Sequence, residues 1–290
     1  MTAASKHSYT VNLSILFSEL PLLERPAAAA AAGFTAAELW WPFGLNHTPS
    51  QADQDELRKA FTDAGVQLTG LNFLDDLATG VAKGTLSVPA ESGRFRENIP
   101  VAVSLAESLG TKALNALYGN RIEGVDPAEQ DELALENLVL AARAAHSIGA
   151  ILLIEALNRP EAPDYPLVSA AAAVEIVDKV NAATGLGNAK FLCDFYHLAR
   201  NGEDLVAVID EYADRFGHVQ IADNPGRNEP GTGELDFEDL FARLTAAGYG
   251  PVGGSAAGGR IGLEYRPSSG VSADGFEWLP RELRSDQPRP

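Results

Sequence analysis

Short β-like runs alternate with longer helical stretches from one end of this chain to the other, and that alternation leaves few folds open. The strand candidates are Tyr9–Leu13, Ala37–Trp41, Gln67–Asn72, Lys112–Leu117, Ala150–Glu155, Lys190–Asp194, His218–Ile221 and Arg260–Glu264. Helical stretches lie between them at Leu22–Ala32, Ser50–Ala64, Ile99–Leu109, Pro127–Ser147, Ser169–Ala183, Asp204–Phe216 and Phe237–Ala247. A weaker one follows around Phe276–Leu283. Several strands are unbroken apolar runs, as in Ile151-Leu152-Leu153-Ile154, the pattern of strands covered on both faces in a parallel sheet. Eight such units in 290 residues suit a (β/α)8 barrel, which typically takes about 250 residues. A doubly wound sheet would place a glycine-rich phosphate turn after its first strand. Here that strand runs into Ser14-Ile15-Leu16-Phe17, with no glycine. The reading is therefore a single α/β domain over residues 1–290, built as a TIM barrel. A polar leader (1–8) and a Pro-containing tail (284–290) are expected to be mobile.

Glycines recur just before strands, at Gly33, Gly65, Gly110, Gly149 and Gly248. A glycine past a helix end supplies a left-handed cap, so these mark short turns on one barrel face. Two loops on the other face are long and polar, Leu74–Asn98 and Ala222–Glu234. In a barrel, loops at the carboxyl ends of the strands carry the active site.

The 22 basic and 40 acidic residues give a formal charge of −18. That argues against a nucleic-acid partner or an anionic membrane surface, both of which need clustered Lys and Arg. The longest uniform apolar stretch, Ala27–Ala32, is far short of the roughly 20 residues of a membrane span. The lone Cys193, read as a packed thiol, excludes an intrachain disulfide and a Cys-rich zinc site. No apolar secretory segment opens the chain, so a cytoplasmic protein is expected. A homo-oligomer is left open.

Four strands in succession end in an apolar run followed by one oxygen-bearing side chain: Glu155, Asp194, Gln220 and Glu264. A carboxylate buried at a strand end costs several kcal/mol unless something pairs with it, and Arg and Lys are scarce beside these positions. Three carboxylates and one amide oxygen converging on a barrel mouth suit a divalent cation. An all-oxygen set favours Mg²⁺ or Mn²⁺ over Zn²⁺. His197 stands three residues beyond Asp194 and is a candidate contact to substrate or metal. His218 reads as structural, at the opposite face. His47 could line the mouth, whereas His7 and His146 read as inert. The Trp40-Trp41 pair is expected partly in the core and partly over the mouth. In the 222–234 loop, Arg227 is the candidate anchor for an anionic substrate, because a guanidinium grips a carboxylate with two hydrogen bonds. Glu229 of the same loop joins it as a substrate-binding candidate, and Arg266 is a second, weaker cation.

The segments Asn12-Leu-Ser14, Leu114-Asn-Ala-Leu-Tyr-Gly-Asn-Arg121, Ile154-Glu-Ala-Leu-Asn158, Cys193-Asp-Phe-Tyr-His197, His218-Val-Gln-Ile-Ala-Asp223, Pro225–Glu234, Ile261–Pro267 and Trp278–Arg281 together resemble the hydroxypyruvate isomerases. These are a branch of the xylose-isomerase-like barrels that also include ketose 3-epimerases, inosose dehydratases and endonuclease IV. The resemblance spans nearly the whole chain. It implies reversible conversion of hydroxypyruvate to tartronate semialdehyde, a small anionic hydroxy-keto acid substrate, and metal ligation by Glu155, Asp194, Gln220 and Glu264. It also implies that Glu155 and Glu264 act as the acid/base pair. Gln220 is informative, because the related epimerases place histidine at the third ligand position. Val252–Arg260 looks like an insertion, expected in a turn on the bottom face. The Asp75–Pro89 loop keeps only part of the family's pattern. The rival readings are a ketose 3-epimerase or 2-oxo-acid isomerase on the same metal site, and a non-catalytic metabolite-binding barrel. A DNA-repair endonuclease would need a histidine-rich zinc cluster and a basic groove, against five histidines and the acidic charge here.

Overall fold

The computed structural model describes residues 3–80, 82–250 and 259–285. Eight parallel strands close into a barrel: β1 (Ser8–Asn12), β2 (Ala36–Leu39), β3 (Gln67–Asn72), β4 (Ala113–Asn115), β5 (Ile151–Glu155), β6 (Ala189–Asp194), β7 (Phe216–Ile221) and β8 (Arg260–Leu263). Strands pair in chain order, and β8 returns to β1 with Tyr9 opposite Ile261. The helices are α1 (Arg25–Ala31), α2 (Gln51–Ala64), α3 (Ser92–Leu109), α4 (Pro127–Ser147), α5 (Ala170–Thr184), α6 (Phe195–Arg200), α7 (Leu205–Tyr212) and α8 (Phe237–Ala246). Apolar side chains between strands and helices form one continuous core, from Val11 and Leu68 to Leu244 and Ile261. Among the described residues no helix is long and apolar enough to cross a membrane.

Local chemistry fixes the element ends. Ser50 and Asp53 cap α2 reciprocally, and Gly65 ends it in the left-handed region at φ +65°. Asp126 caps α4 ahead of Pro127 at its first turn. Two expected boundaries move. Helix α3 starts at Ser92, not Ile99, and carries Pro100 inside it. The early turns survive the missing proline N–H because Phe95 and Asn98 are buried and Arg94 and Arg96 are tied to neighbouring segments. The expected helix over Phe276–Leu283 is instead two 3-10 turns, Ser272–Phe276 and Arg281–Leu283, parted by Pro280. Proline lacks the N–H that would continue the first turn.

Residues 3–8 make defined contacts with the barrel. Ala3–Lys6 form a 3-10 turn, Ala3 N–H donates to Glu238 Oε1 (2.9 Å), and buried His7 sets Nε2 against the Phe241 carbonyl (3.1 Å). In the tail, the Arg284 guanidinium donates to the carbonyls of Leu279, Ala32 and Phe276. Residues 286–290 lie outside the described residues, as do 252–258 of the expected insertion.

Inside the barrel, Ala113, Ile151, Leu153 and Leu192 form a small apolar cluster on one side. The other side is polar. Glu38 Oε2 meets His218 Nε2 at 2.7 Å, Gln220 Nε2 donates to Glu38 Oε1 at 2.9 Å, and Thr10 bonds Thr69 at 2.8 Å. This corrects the placement of His218. Strand β7 begins at Phe216, so His218 and Gln220, two apart, both point inward. Barrel interiors usually hold branched apolar residues. Here glycine makes room for charge, since a Cβ at Gly262 would lie 2.6 Å from Glu38 Oε1 and 2.8 Å from both Gln220 Cγ and His218 Nε2. Gly262→Ala should therefore destabilise the protein by about 1–3 kcal/mol. Denaturant titration of the two proteins checks this, and equal midpoints would mean the network yields without cost.

Candidate active site

The carboxyl ends of β5 to β8 deliver the oxygen-bearing side chains to one end of the barrel. Glu155 closes β5 and accepts a hydrogen bond from Asn115 Nδ2 at 2.8 Å. Asp194 closes β6 and starts α6 with no loop between. Its Oδ1 accepts the N–H groups of Tyr196 (2.7 Å) and His197 (3.1 Å), which leaves Oδ2 for the mouth. That short helix was not expected, because strand end and helix cap are the same residue. Gln220 sits opposite Asp194 in the β6–β7 register. Glu264 follows β8 and takes a hydrogen bond from Trp40 Nε1 at 2.7 Å. Trp41, by contrast, is buried, so the tryptophan pair divides between mouth and core as expected.

All four residues are buried. Burial and the neighbouring Asp194 push Glu155 up to about 8. Burial raises Asp194, against the pull of Arg227 and the two backbone N–H groups, and raises Glu264 well above the usual carboxylate range, again against Arg227. Each shift says that negative charge here is short of partners. Arg227 is the buried cation among them, with Nη1 3.1 Å from Glu161 and Nη2 3.5 Å from Glu264. Its guanidinium also lies 5.2 Å from the Tyr196 ring centre.

Glu155, Asp194 and His197 offer one atom each within 4.8 Å of one another, a group that could hold a metal ion. The proton on His197 can be placed. Asn158 Oδ1 accepts the Glu161 N–H, so its Nδ2 faces His197 Nδ1 (2.7 Å), and the Asn158 backbone N–H reaches the same nitrogen (3.1 Å). Nδ1 is thus an acceptor and Nε2 carries the hydrogen. Burial, with Arg227 and Lys83 nearby, holds the imidazole pKa well below its usual value. Nε2–H lies 3.9 Å from Glu155 Oε1 and 3.8 Å from Asp194 Oδ2, and in this tautomer it donates and has no lone pair for a metal.

The amide of Gln220 supplies the complementary observation. Its NH2 is held by Glu38, while its Oε1 is buried with no hydrogen-bond partner among the described residues. An orphaned carbonyl oxygen on the residue that sits opposite Asp194 in the β6–β7 register is what an oxygen-seeking cation would satisfy. The residues present fit a divalent metal.

A small cavity of about 60 Å³ opens above these groups, lined by Trp40, Asn72, Lys83, Glu161, His197 and Arg227 together with Glu155 and Glu264. A larger cleft of about 570 Å³ at the amino-terminal ends of β5–β7 is lined by none of the buried carboxylates. Three candidates fall elsewhere. Glu229 turns away from the cavity and accepts hydrogen bonds from the Ser268 N–H (2.9 Å) and hydroxyl, tying two loops together. His47 pairs with Glu97 at the rim (2.8 Å). Arg266 is exposed. The acid that does line the cavity, Glu161, went unnoticed in the sequence. Burial works against its charge, yet the Tyr196 hydroxyl (2.5 Å) and Arg227 hold its pKa below the usual value. Its signal was faint, since it stands in a loop without an apolar run before it.

Residues 26–282 match the family described as xylose isomerase-like TIM barrel. A Streptomyces coelicolor protein provisionally named a hydroxypyruvate isomerase is 65% identical over 96% of this chain and 97% of its own length. Hydroxypyruvate isomerase of Escherichia coli is 32% identical over 93% of this chain and 97% of its own. 2-Oxo-tetronate isomerase of Cupriavidus necator is 34% identical over 93% and 96%. Among solved structures, one described as an AP endonuclease, family 2, from Brucella melitensis superposes with a TM-score of 0.81 at 31% identity, covering 94% of this chain and 98% of that one.

One wall of the mouth depends on Asp75, which accepts the N–H groups of Trp41 and Leu77 and the Asn72 amide. Burial outweighs these bonds and pushes its carboxyl up to about 6. The folded state therefore binds this proton more tightly than the unfolded chain. The contribution is fully favourable below about pH 4 and is lost as pH rises through about 6. Relative to Asp75→Asn, the wild type should lose on the order of 1–3 kcal/mol of stability between about pH 4 and pH 7. Urea unfolding across that range tests it, and parallel curves would count against a proton held here.

Proposed function

The chain belongs to the xylose isomerase-like TIM barrel family, and from that premise we propose that it is an isomerase interconverting hydroxypyruvate and tartronate semialdehyde. The observation that carries the reading is the burial of Glu155, Asp194, Gln220 and Glu264 at the carboxyl ends of four consecutive strands, beside a cavity that Glu155 and Glu264 line together with Arg227. These oxygens would hold Mg²⁺ or Mn²⁺, with His197 Nε2–H left to donate to a substrate oxygen. When bound, the ion supplies stabilisation for negative charge developing on two neighbouring substrate oxygens.

The residues' own work is proton transfer. One of Glu155 and Glu264 takes a proton from the hydroxymethyl carbon, and the electron pair left behind forms the double bond of an enediol as the old carbonyl oxygen gains a proton. Return of a proton to the former carbonyl carbon, with loss of the O–H proton from the terminal hydroxyl, leaves an aldehyde and a secondary alcohol. No net oxidation occurs. Glu155, with its carboxyl near 8, is suited to passing protons at neutral pH. Arg227 and the Nε2–H of His197 orient the acid and its oxygens, while Trp40 keeps water from Glu264. A ketose 3-epimerase would have to seat a longer chain in a cavity of about 60 Å³. The 2-oxo-tetronate isomerase relative keeps a substrate one carbon longer as the second reading.

Glu155→Gln and Glu264→Gln should each lower turnover of hydroxypyruvate by at least about 100-fold, with unfolding midpoints unchanged or raised. Near-normal turnover by both variants removes them from the chemistry. Chelation should abolish activity, and Mg²⁺ or Mn²⁺ should restore it. Glu38→Leu removes the acceptor that holds the Gln220 amide, so Mn²⁺ affinity, read by calorimetry, should fall about 10- to 100-fold.

A further inference from the structure

We propose that Lys83 completes a carboxylate subsite: with Arg227 it takes the acid group of a short hydroxy-keto acid, an inference that rests on the isomerase reading and names what its substrate must carry. The backbone at Lys83 and Gly84 is pinned to the loop after β4. The Lys83 carbonyl accepts the Gly119 N–H at 3.0 Å, and Gly84 bridges to Tyr118. Gly84 has φ +106°, and a Cβ there would lie 2.2 Å from the Leu117 carbonyl oxygen. Only glycine lets the two loops approach so closely.

So held, the Lys83 side chain lines the mouth cavity, half-buried. Arg227 is bound to Glu161 and Glu264, whereas the Lys83 ammonium makes no hydrogen bond or ion pair among the described residues. Burial, offset by Glu161 and reinforced by Arg227 and Arg266, holds its pKa below the ordinary lysine value. A cation kept partly out of water without a partner is a standing cost unless a ligand removes it.

The rest of the lining shows where a carboxylate can go. Leu77, Leu117, Leu157 and Ala162 are apolar, and Glu155, Glu161 and Glu264 would repel an anion. In a chain of net charge −18, an anionic substrate is opposed by the long-range field as well. The two cations are the groups that reverse this locally, and charge-assisted hydrogen bonds to them would fix the acid end. The hydroxyl and carbonyl oxygens are then directed to the carboxylate-lined end, where the proton is moved.

The test uses the full chain loaded with Mn²⁺ and two unreactive or neutral probes of equal carbon number, D-glycerate and dihydroxyacetone. Lys83→Met should weaken glycerate binding about 10- to 100-fold in calorimetry and leave dihydroxyacetone unchanged, and Lys83→Arg should restore glycerate. On hydroxypyruvate, Lys83→Met should raise KM by a similar factor with kcat nearly unchanged. Equal glycerate affinity in wild type and Lys83→Met overturns the subsite, and so does an equal loss for both probes. Glycerate binding that depends on Lys83, in a wild type that does not isomerise hydroxypyruvate, upholds the subsite and sinks the isomerase reading instead.

Discussion

Three carboxylates taken out of water within one barrel mouth set the terms for everything around them. Glu155, Asp194 and Glu264 are each nearly inaccessible, and each has its pKa raised by that burial. Arg227 alone does not balance them. The barrel can hold this arrangement because its strands and core are complete beneath it, so the strain of crowded charge is carried by a rigid frame and not by a loop. The same crowding makes the site useful, since groups that resist ionisation can exchange protons near neutral pH and bind a cation strongly.

Direction matters as much as position. Asn158 decides which nitrogen of His197 carries hydrogen, and its own orientation is decided by the Glu161 N–H. Asp223 does the same for the loop that carries Arg227, accepting the N–H groups of Gly231, Gly233 and Leu235. Arg227 itself has φ +56°, a conformation costly for a non-glycine residue, and Arg266 N–H bonds its carbonyl at 2.8 Å. The mouth is thus built by residues that never line it.

The sequence made the barrel legible because apolar runs and post-helix glycines repeat with the period of the fold. Glu155, Asp194, Gln220 and Glu264 were legible for the same reason, each ending an apolar run whose direction the fold fixes. Glu161, Lys83 and Asn158 were not, because they stand in loops, where no period says which way a side chain faces. Glu229 shows the reverse error. It shares a loop with Arg227, but the turn at Arg227 sends the two side chains to different neighbours. His218 was misplaced by a strand boundary set two residues late, which hid its inward register beneath Gln220.

Glu38 explains why an amide serves at position 220. A buried carboxylate beneath the mouth needs donors, and it finds them in His218 Nε2 and the Gln220 NH2. Glutamine is asymmetric in the way this demands, donating to Glu38 and keeping a carbonyl oxygen without a hydrogen-bond partner among the described residues. Glutamate there would set two anions against each other, and leucine would leave Glu38 short of a donor. Histidine could meet the same demand, with one ring nitrogen donating to Glu38 and the other offering its lone pair. The constraint at this position is therefore a side chain that donates to Glu38 and still offers an acceptor, and the clearance left by Gly262 is what allows it.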